Sequence, residues 1–344
     1  MDFQNKKFFW DSKKSPQKKM IRGFFQQSKV SILYYQKIMK IKLYINAAIT
    51  ILKMRLKHCK KLNIHLEDSC PLKKINIAAT LIVKNEAKYL REWIEYHRII
   101  GIEHFFIYDN ESTDGLRSFL EPYIKKGIVT YAYVSGSKKQ MPCYEDSTIR
   151  NRKRVKWMAF LDADEYINIH TSNSLSDFLE SYDKFSGIGI NWICFDSNGH
   201  ESMPQKGFVI SNYTRCYLNP NDYIPNRHIK SIVKTSHIRC FHSPHAPELK
   251  KSFCKNHYLV TEDFEKISGM LTTKNSTNKI QINHYFSKSK EEYVKKISRG
   301  RADNGAIREI NKSDYNFDEG EQTHVSPPSI LSTLQQQIQD TYSS

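Results

Sequence analysis

The chain has 344 residues, of which 39% are hydrophobic, and it carries a formal net charge of +17. This length and apolar content allow a sizeable core and exclude a wholly disordered chain. Residues 1–74 hold 18 Lys and Arg against 4 Asp and Glu, a net +14, which leaves +3 for residues 75–344. Because the part that looks globular is nearly neutral, the composition argues against a basic nucleic-acid-binding domain.

We predict that residues 1–74 form a basic and helical extension. Its most apolar stretch, residues 38–56, is interrupted by Lys and Arg, so it lacks the 18 or so apolar residues of a membrane-spanning helix. Aliphatic residues at helical spacing predict an amphipathic helix that lies on an anionic membrane surface or packs on the folded domain. No signal peptide is evident, and the seven scattered cysteines indicate no disulfide framework. These features predict a cytoplasmic protein, peripheral at the inner face of the membrane.

Residues 75–310 are predicted to form the folded domain. Apolar runs predict alternating strands and helices, in the order strand 75–83, helix 87–100, strand 104–108, helix 116–126, strand 128–134, a helix from about 144, and a strand from 157. Such alternation predicts an α/β fold with a mainly parallel central sheet flanked by helices. Residues 291–308 predict a late basic helix, and residues 311–344 predict a polar tail that is disordered or a frayed helix.

Polar side chains follow three of these predicted strands, where ligands of open α/β sheets collect. They are Lys84, Asn85 and Glu86 after the first strand, Asp109, Asn110 and Asp114 after the second, and Asp162 and Asp164 after the fourth. The sequence therefore predicts a binding site at the carboxyl ends of the strands.

The Asp162-Ala163-Asp164 motif is the strongest chemical signal. If it continues the strand, both carboxylates project from one side, because successive side chains of a strand alternate. Paired oxygen ligands suit Mg²⁺ or Mn²⁺, which takes further ligands from substrate phosphates. The alternative is a solvated acidic loop or an acidic helix N-terminus.

Ordered motifs occur between residues 76 and 303. They are Leu81 to Glu86, Leu90 to Gly101, Ile107 to Asp114, Trp157 to Tyr166, Ile190 to His200, Ile229 to Val233, and Asn283-His284-Tyr285 with Arg299-Gly300. Together they resemble glycosyltransferase family 92 and its relatives in the family 2 group. Tyr166 departs from the Phe that these proteins often have, and the basic extension and the polar tail fall outside the resemblance.

The resemblance implies a GT-A fold and transfer of a sugar from a nucleotide diphosphate, with a UDP-sugar favoured, to a hydroxyl of a glycan or glycolipid. It implies inversion at the anomeric carbon and a role in surface polysaccharide synthesis. Mn²⁺ or Mg²⁺ held by Asp164, with Asp162 nearby, would neutralise the departing diphosphate. His245 and His284 are the candidates for a third metal ligand, unless they are satisfied core histidines. His242, three residues before His245, suggests no zinc site, because no cysteine or further histidine has suitable spacing.

An inverting transferase also needs a base for the acceptor hydroxyl. We favour Glu201 over Asp196 in the same loop, and the alternative for Glu201 is an ordinary loop carboxylate that caps a backbone amide.

The resemblance assigns the remaining polar residues to the donor. Asp109 and Asp114, with Asn110 between them, are predicted to bind the nucleoside and ribose, and the alternative for the two carboxylates is an Asx turn.

Asn85 and Glu86 are predicted to contact the uracil or ribose, with Lys84 near phosphate, although Glu86 also suits a helix N-terminus. Arg150 either faces the diphosphate or is solvated.

Two other functions compete with sugar transfer. A nucleic-acid-binding protein would use the basic extension to bind phosphates, but it leaves the carboxylates at the strand ends unexplained. A metal-dependent phosphohydrolase would use the same Asp cluster, but a two-metal site needs more converging carboxylates than the sequence places.

Overall fold

A computed structural model describes residues 37–39, 41–42, 45, 64–66, 74–252, 256–301, 304–317, 322–324 and 330–343. The chain divides into two units, Met1–Lys61 and Leu62–Ser344. In the first unit the six described residues are helical, and the membrane-contacting surface predicted for residues 1–74 lies almost wholly outside the described residues. Among the residues described, no helix is both long and apolar enough to cross a membrane.

A mixed sheet of eleven strands forms the centre of the second unit. Its middle consists of four parallel strands in the spatial order β4 (Val129–Val134), β3 (His104–Asp109), β2 (Ile75–Val83) and β5 (Val155–Phe160). These strands are almost continuously buried, as expected for parallel strands that are covered on both faces. The predicted α/β class is therefore confirmed.

Further strands, in both parallel and antiparallel pairs, extend this sheet on both sides. β1 (Ile64–Leu66) pairs with β4 at one edge. Beyond β5 the sheet continues through β9 (Ile229–Lys234), β7 (Gly187–Cys194), β12 (Leu259–Val260) and β13 (Lys266–Ile267). A branch is formed by β14 (Ile280–His284), which pairs with both β7 and β6 (Glu165–Ile169). Two small antiparallel pairs complete the strands, β10 (Ile238–Phe241) with β11 (Pro247–Leu249) and β8 (Arg215–Tyr217) with β15 (Gln322–His324).

Seven α-helices lie within the described part of this unit. They are α1 (Ala87–Ile99), α2 (Leu116–Lys125), α3 (Gln140–Asn151), α4 (Leu175–Glu180), α5 (Val209–Asn212), α6 (Lys290–Ser298) and α7 (Leu331–Ser343). Short 3-10 helices occur at Pro220–Asp222, Ile224–Arg227, Thr235–His237 and Lys312–Asp314. The apolar face of α1 buries Leu90, Trp93 and Tyr96 in the main core. Ser289 and Glu292 form a capping box that starts α6.

The structure differs from the predicted domain boundaries at both ends. β1 lies inside the predicted 1–74 extension but pairs with β4, because Ile64 to Leu66 supply a strand to an otherwise open sheet edge. Residues after 311 were predicted to form a separate polar tail, yet β15 pairs with β8 and Leu334 of α7 is fully buried in the main core. One apolar position in a polar helix was too weak a signal to predict this packing.

The carboxylate of Glu92 on α1 is buried and accepts the backbone N–H groups of Val209 (2.8 Å) and Ile210 (3.2 Å) at the start of α5. Burial raises the pKa of Glu92 to about 7, although the two N–H groups lower it. The folded state therefore keeps a proton that the unfolded state loses near pH 4.5.

We expect the contribution of Glu92 to stability to fall by up to about 3 kcal/mol as pH rises from about 5 through 7. In Glu92→Gln this part of the pH dependence should disappear, whereas the exposed variant Glu180→Gln should keep it. Urea unfolding at pH 5, 6, 7 and 8 measures the free energy of unfolding of each protein. The same change of this free energy with pH in all three proteins would contradict the prediction.

Candidate active site

A cavity of about 370 Å³ opens at the carboxyl ends of the parallel strands. Its wall includes Val83 at the end of β2, Asn110 just after β3, and Asp162 just after β5. Seven of the predicted site residues line this cavity: Lys84, Glu86, Asn110, Asp162, Asp164, His245 and His284. The predicted position of the binding site at the strand ends thus agrees with the cavity.

The carboxylate motif lies in a turn, which differs from the predicted continuation of the strand. β5 ends at Phe160, and β6 begins at Glu165 in a different ladder, where it pairs with β14. Because the chain changes partners between these strands, Asp162 and Asp164 are held by different neighbours.

Asp162, whose side chain is 35% exposed, belongs to a charge cluster with the buried residues Lys230 and Glu165. Lys230 Nζ lies 2.8 Å from Asp162 Oδ2 and 3.3 Å from Glu165 Oε2, and Gln140 Nε2 donates to Asp162 Oδ1 at 2.8 Å. Burial raises the pKa of Glu165 to about 8, with Asp162 and Asp164 adding to the effect and Lys230 opposing it. The two carboxylates also raise the pKa of Lys230, against the effect of its burial. This lysine therefore stabilises the turn that carries the motif.

Asp164 has a different set of partners. Its Oδ2 accepts a hydrogen bond from Lys296 of α6 and lies 3.7 Å from His284 Nε2 at the end of β14. Burial alone would raise the pKa of Asp164, but Lys296 and His284 hold it well below its usual value. Burial lowers the pKa of His284, so its imidazole is neutral at pH 7. A carboxylate and a neutral imidazole are therefore adjacent in the cavity.

His245 and Trp192 form the neighbouring wall. His245 Nδ1 lies 3.0 Å from the carbonyl oxygen of Ile229, so Nδ1 carries the proton and Nε2 keeps its lone pair. Burial, with Lys230 nearby, lowers the pKa of His245 to about 3. The Trp192 ring lies 4.2 Å from the His284 ring and 5.2 Å from the His245 ring, between centroids. Both predicted histidines thus lie next to the Trp192 ring.

Four basic side chains from the C-terminal part of the domain also line the wall, and the predicted site did not include them: Lys296, Arg299, Arg301 and Arg308. With Lys84 and Lys138, six basic residues line the cavity against four carboxylates. The predicted late basic helix and the Arg299-Gly300 motif were the available signals for them. Such an excess of positive charge suits a phosphate-bearing ligand.

Four predicted donor-binding residues lie outside the cavity wall and have structural roles. Asp109 accepts the Ser112 N–H and the Tyr131 hydroxyl, at 2.8 and 2.7 Å. Asp114 accepts the Ala87 N–H at the start of α1.

Asn85, in a left-handed conformation with φ of 58°, accepts the Thr113 N–H at 2.7 Å. Arg150 pairs along α3 with Asp146, at 2.7 Å. Local turn and helix contacts therefore account for these side chains, in agreement with the alternatives weighed for Asp109 and Asp114.

The two predicted bases also lie outside the cavity. Asp196 is fully buried and accepts hydrogen bonds from Arg215 and from the backbone N–H groups of Asn198 and Phe317. The Glu201 side chain is 76% exposed and pairs with Lys290 at 2.8 Å. One carboxylate is thus fully engaged by structural donors and the other faces solvent, and the assignment of a base to this loop stays a prediction.

We expect Glu201→Gln to keep turnover within about twofold of the unchanged protein, because removal of an exposed ion pair costs at most about 1 kcal/mol. Initial rates at saturating donor and acceptor measure this effect. A loss of turnover of a hundredfold or more, with an unchanged melting temperature, would indicate that Glu201 takes part in the reaction.

The chain is thus an α/β protein whose cavity, at the carboxyl ends of parallel strands, has a composition that suits a phosphate-bearing ligand. More specifically, the chain belongs to glycosyltransferase family 92, whose family model matches residues 78–331. The predicted family membership is therefore confirmed.

Relatives in this family share part of the chain. It is 34% identical over 157 residues to a family 92 protein of Oryza sativa subsp. japonica, a match that covers 44% of this chain and 26% of the relative. It is 30% identical over 126 residues to the galactan beta-1,4-galactosyltransferase GALS2 of Arabidopsis thaliana, covering 32% of this chain and 24% of that protein. The matched region thus spans about a quarter of the length of these relatives.

Solved structures with related folds include S. aureus TarS 1-349 in complex with UDP, at 18% identity and a TM-score of 0.30, covering 47% of each chain. Glucosyl-3-phosphoglycerate synthase from Mycobacterium tuberculosis with Mn²⁺ and UDP-glucose is similar at 14% identity and a TM-score of 0.25, covering 34% of this chain and 44% of that one.

Proposed function

We propose that this chain transfers a sugar from a UDP-sugar to a hydroxyl of a glycan or glycolipid, with inversion at the anomeric carbon and with Mn²⁺ or Mg²⁺ as cofactor. The observation that carries the proposal is the Asp164 and His284 pair in a cavity with an excess of basic side chains. Family membership supports sugar transfer. The galactan galactosyltransferases among the relatives favour a galactosyl donor and a polysaccharide acceptor.

Asp164 and His284 fit a divalent cation, and we assign them as its ligands. Asp164 is ionised, His284 is neutral, and their facing atoms are 3.7 Å apart, a separation that one shared ion can bridge. When bound, such a cation neutralises charge on the departing diphosphate. Both oxygens of Asp162 already have protein partners, so Asp162 fits a supporting role through Lys230. The Nε2 lone pair of His245 makes it the second candidate imidazole ligand.

The basic side chains of the cavity would bind the diphosphate of the donor. Arg299 donates to the Lys84 carbonyl oxygen and to Glu86 Oε1, both at 2.7 Å. These bonds join the loop after β2 to the end of α6 at the cavity wall. Lys84 and Arg299 are thereby held at the same wall, where they can contact phosphate oxygens together.

Trp192 would contact the sugar. Its ring lines the cavity beside His284. An aromatic face suits the apolar C–H groups of a sugar ring.

Calorimetric titration of Mn²⁺ into protein that is saturated with UDP tests the proposal. We expect His284→Ala to weaken Mn²⁺ binding at least about tenfold, whereas the exposed variant His170→Ala should bind as the unchanged protein does. Replacing UDP with GDP or CMP tests the choice of nucleotide. Equal Mn²⁺ binding by the two variants, or Mn²⁺ binding that is independent of nucleotide, would contradict the assignment.

A further inference from the structure

A second group of metal-ligating side chains lies on the hairpin formed by β10 and β11, away from the cavity wall. Within the described residues, Cys240, His242 and Glu248 form the one group of three such side chains whose ligand atoms all lie within 4.8 Å of one another. Cys240 Sγ is 3.5 Å from His242 Nε2 and 3.4 Å from Glu248 Oε2, and the latter two atoms are 3.0 Å apart. Three atoms of different ligand chemistry therefore face one point.

The backbone of the hairpin brings these side chains together. Cys240 is the register partner of Glu248 on the opposite strand, and His242 lies two residues beyond Cys240, on the same face of the hairpin. Arg239 binds Glu248 Oε1, which leaves Oε2 facing the cysteine and the histidine. The grouping thus follows from strand register, so the sequence spacing that argued against zinc at His242 was not informative.

The distances fit a tetrahedral zinc ion. With Zn–S near 2.3 Å and Zn–N and Zn–O near 2.0 to 2.1 Å, the edges of a tetrahedron are about 3.5 Å from sulfur to nitrogen or oxygen and about 3.3 Å from nitrogen to oxygen. The observed separations differ from these values by a few tenths of an ångström at most. Thiolate, imidazole and carboxylate are the three ligand types of zinc, and solvent can supply the fourth position.

The hairpin packs on the core through Phe241, and its connecting loop reaches the cavity. Phe241 packs against Phe160 and Tyr144, with ring centroids 4.6 and 5.4 Å apart, and its N–H donates to Glu145 of α3. The connection between β10 and β11 carries Pro244 and His245, which both line the cavity. A metal ion bound by residues 240, 242 and 248 would therefore link the two strands at the base of the loop that positions His245.

We propose that Cys240, His242 and Glu248 bind a zinc ion, and that this ion fixes the loop that holds His245 in the cavity wall. The site is separate from the Asp164 and His284 pair, so it holds whether or not the proposed sugar transfer is correct.

Cobalt substitution tests the site, because Co²⁺ occupies zinc sites and gives a thiolate-to-metal charge-transfer band only when sulfur is bound. The experiment uses the full chain, reduced, in the Asp164→Asn background to remove metal binding in the cavity. We expect one equivalent of Co²⁺ to produce the band and one equivalent of Zn²⁺ to remove it. Cys240→Ser should abolish the band, and His242→Ala should weaken binding at least about tenfold.

The matched control is Cys194→Ser, since the Cys194 thiol lies 3.8 Å from His284 Nδ1, beside the cavity pair. This variant should keep the band and the affinity. A band that survives Cys240→Ser, or protein that binds neither Co²⁺ nor Zn²⁺, would overturn the proposal. Because the Cys240 and His242 side chains are partly or largely exposed, near-unchanged circular dichroism should accompany both variants.

Discussion

Asp164→Asn is expected to lower the turnover number for sugar transfer by about 10³-fold, equivalent to about 4 kcal/mol of transition-state stabilisation. The substitution keeps the size of the side chain but removes the negative charge that faces Lys296 and His284. It therefore removes the proposed anionic ligand and leaves Lys296 without its ionised partner. Initial rates with a UDP-sugar donor at several Mn²⁺ concentrations measure the effect.

The control for this substitution is Asp177→Asn, which changes an exposed aspartate in the first turn of α4 and should keep full activity. Circular dichroism and the melting temperature establish that both variants are folded. If Asp164→Asn were folded and still turned over within tenfold of the unchanged protein, Asp164 would not be a ligand of an essential cation.

Lys230→Met is expected to reduce the free energy of unfolding by about 2 to 3 kcal/mol, because it removes the hydrogen-bonding cation between Asp162, which is 35% exposed, and the buried Glu165. Lys230 is 1% exposed and lies between Asp162 and Glu165, so methionine fills the space without a charge. Guanidinium unfolding of purified protein measures the loss.

Lys234→Met on the same face of β9 is the matched control. Lys234 pairs with Asp183, whose side chain is 53% exposed, and its loss should cost about 1 kcal/mol. Adding Asp162→Asn to Lys230→Met should restore part of the stability, because it removes the carboxylate that has lost its cation, whereas the raised pKa of Glu165, about 8, keeps that side chain protonated at pH 7. Equal losses for the two lysine variants, or no restoration by Asp162→Asn, would show that loss of the ion pair is not the cause.

The sequence predicted the elements that local periodicity determines. Residues 75–83, 104–109 and 129–134 form strands as the apolar runs indicated, and the polar residues after them lie at one edge of the sheet. Parallel pairing requires this result, since it places the carboxyl ends together.

Contacts between distant residues could not be predicted in the same way. Lys296 reaches Asp164 across 132 positions, and Lys230 reaches Asp162 across 68. Neither contact has a signal in the local sequence. Both carboxylates of the Asp162-Ala163-Asp164 motif were therefore predicted to be metal ligands. The zinc group shows the same limit, because Cys240 meets Glu248 through strand register.

The roles of polar residues in loops were the least predictable part of the site. Asp109, Asp114 and Asp196 all accept backbone N–H groups, which are always available where a chain turns. A carboxylate in a turn therefore fits both a ligand contact and a structural bond. The structure adds which of these side chains line the cavity.

The contacts of Asp196 with the C-terminal part of the domain limit how far this polypeptide can be shortened. It accepts the Phe317 N–H, and farther along the chain β15 pairs with β8 and α7 packs on α1 through buried Leu334. A fragment that ended at residue 310 would leave Asp196 with fewer donors and would uncover apolar surface on α1. We therefore expect a fragment of the second unit that ends at residue 310 to be less stable than one that extends through Leu334.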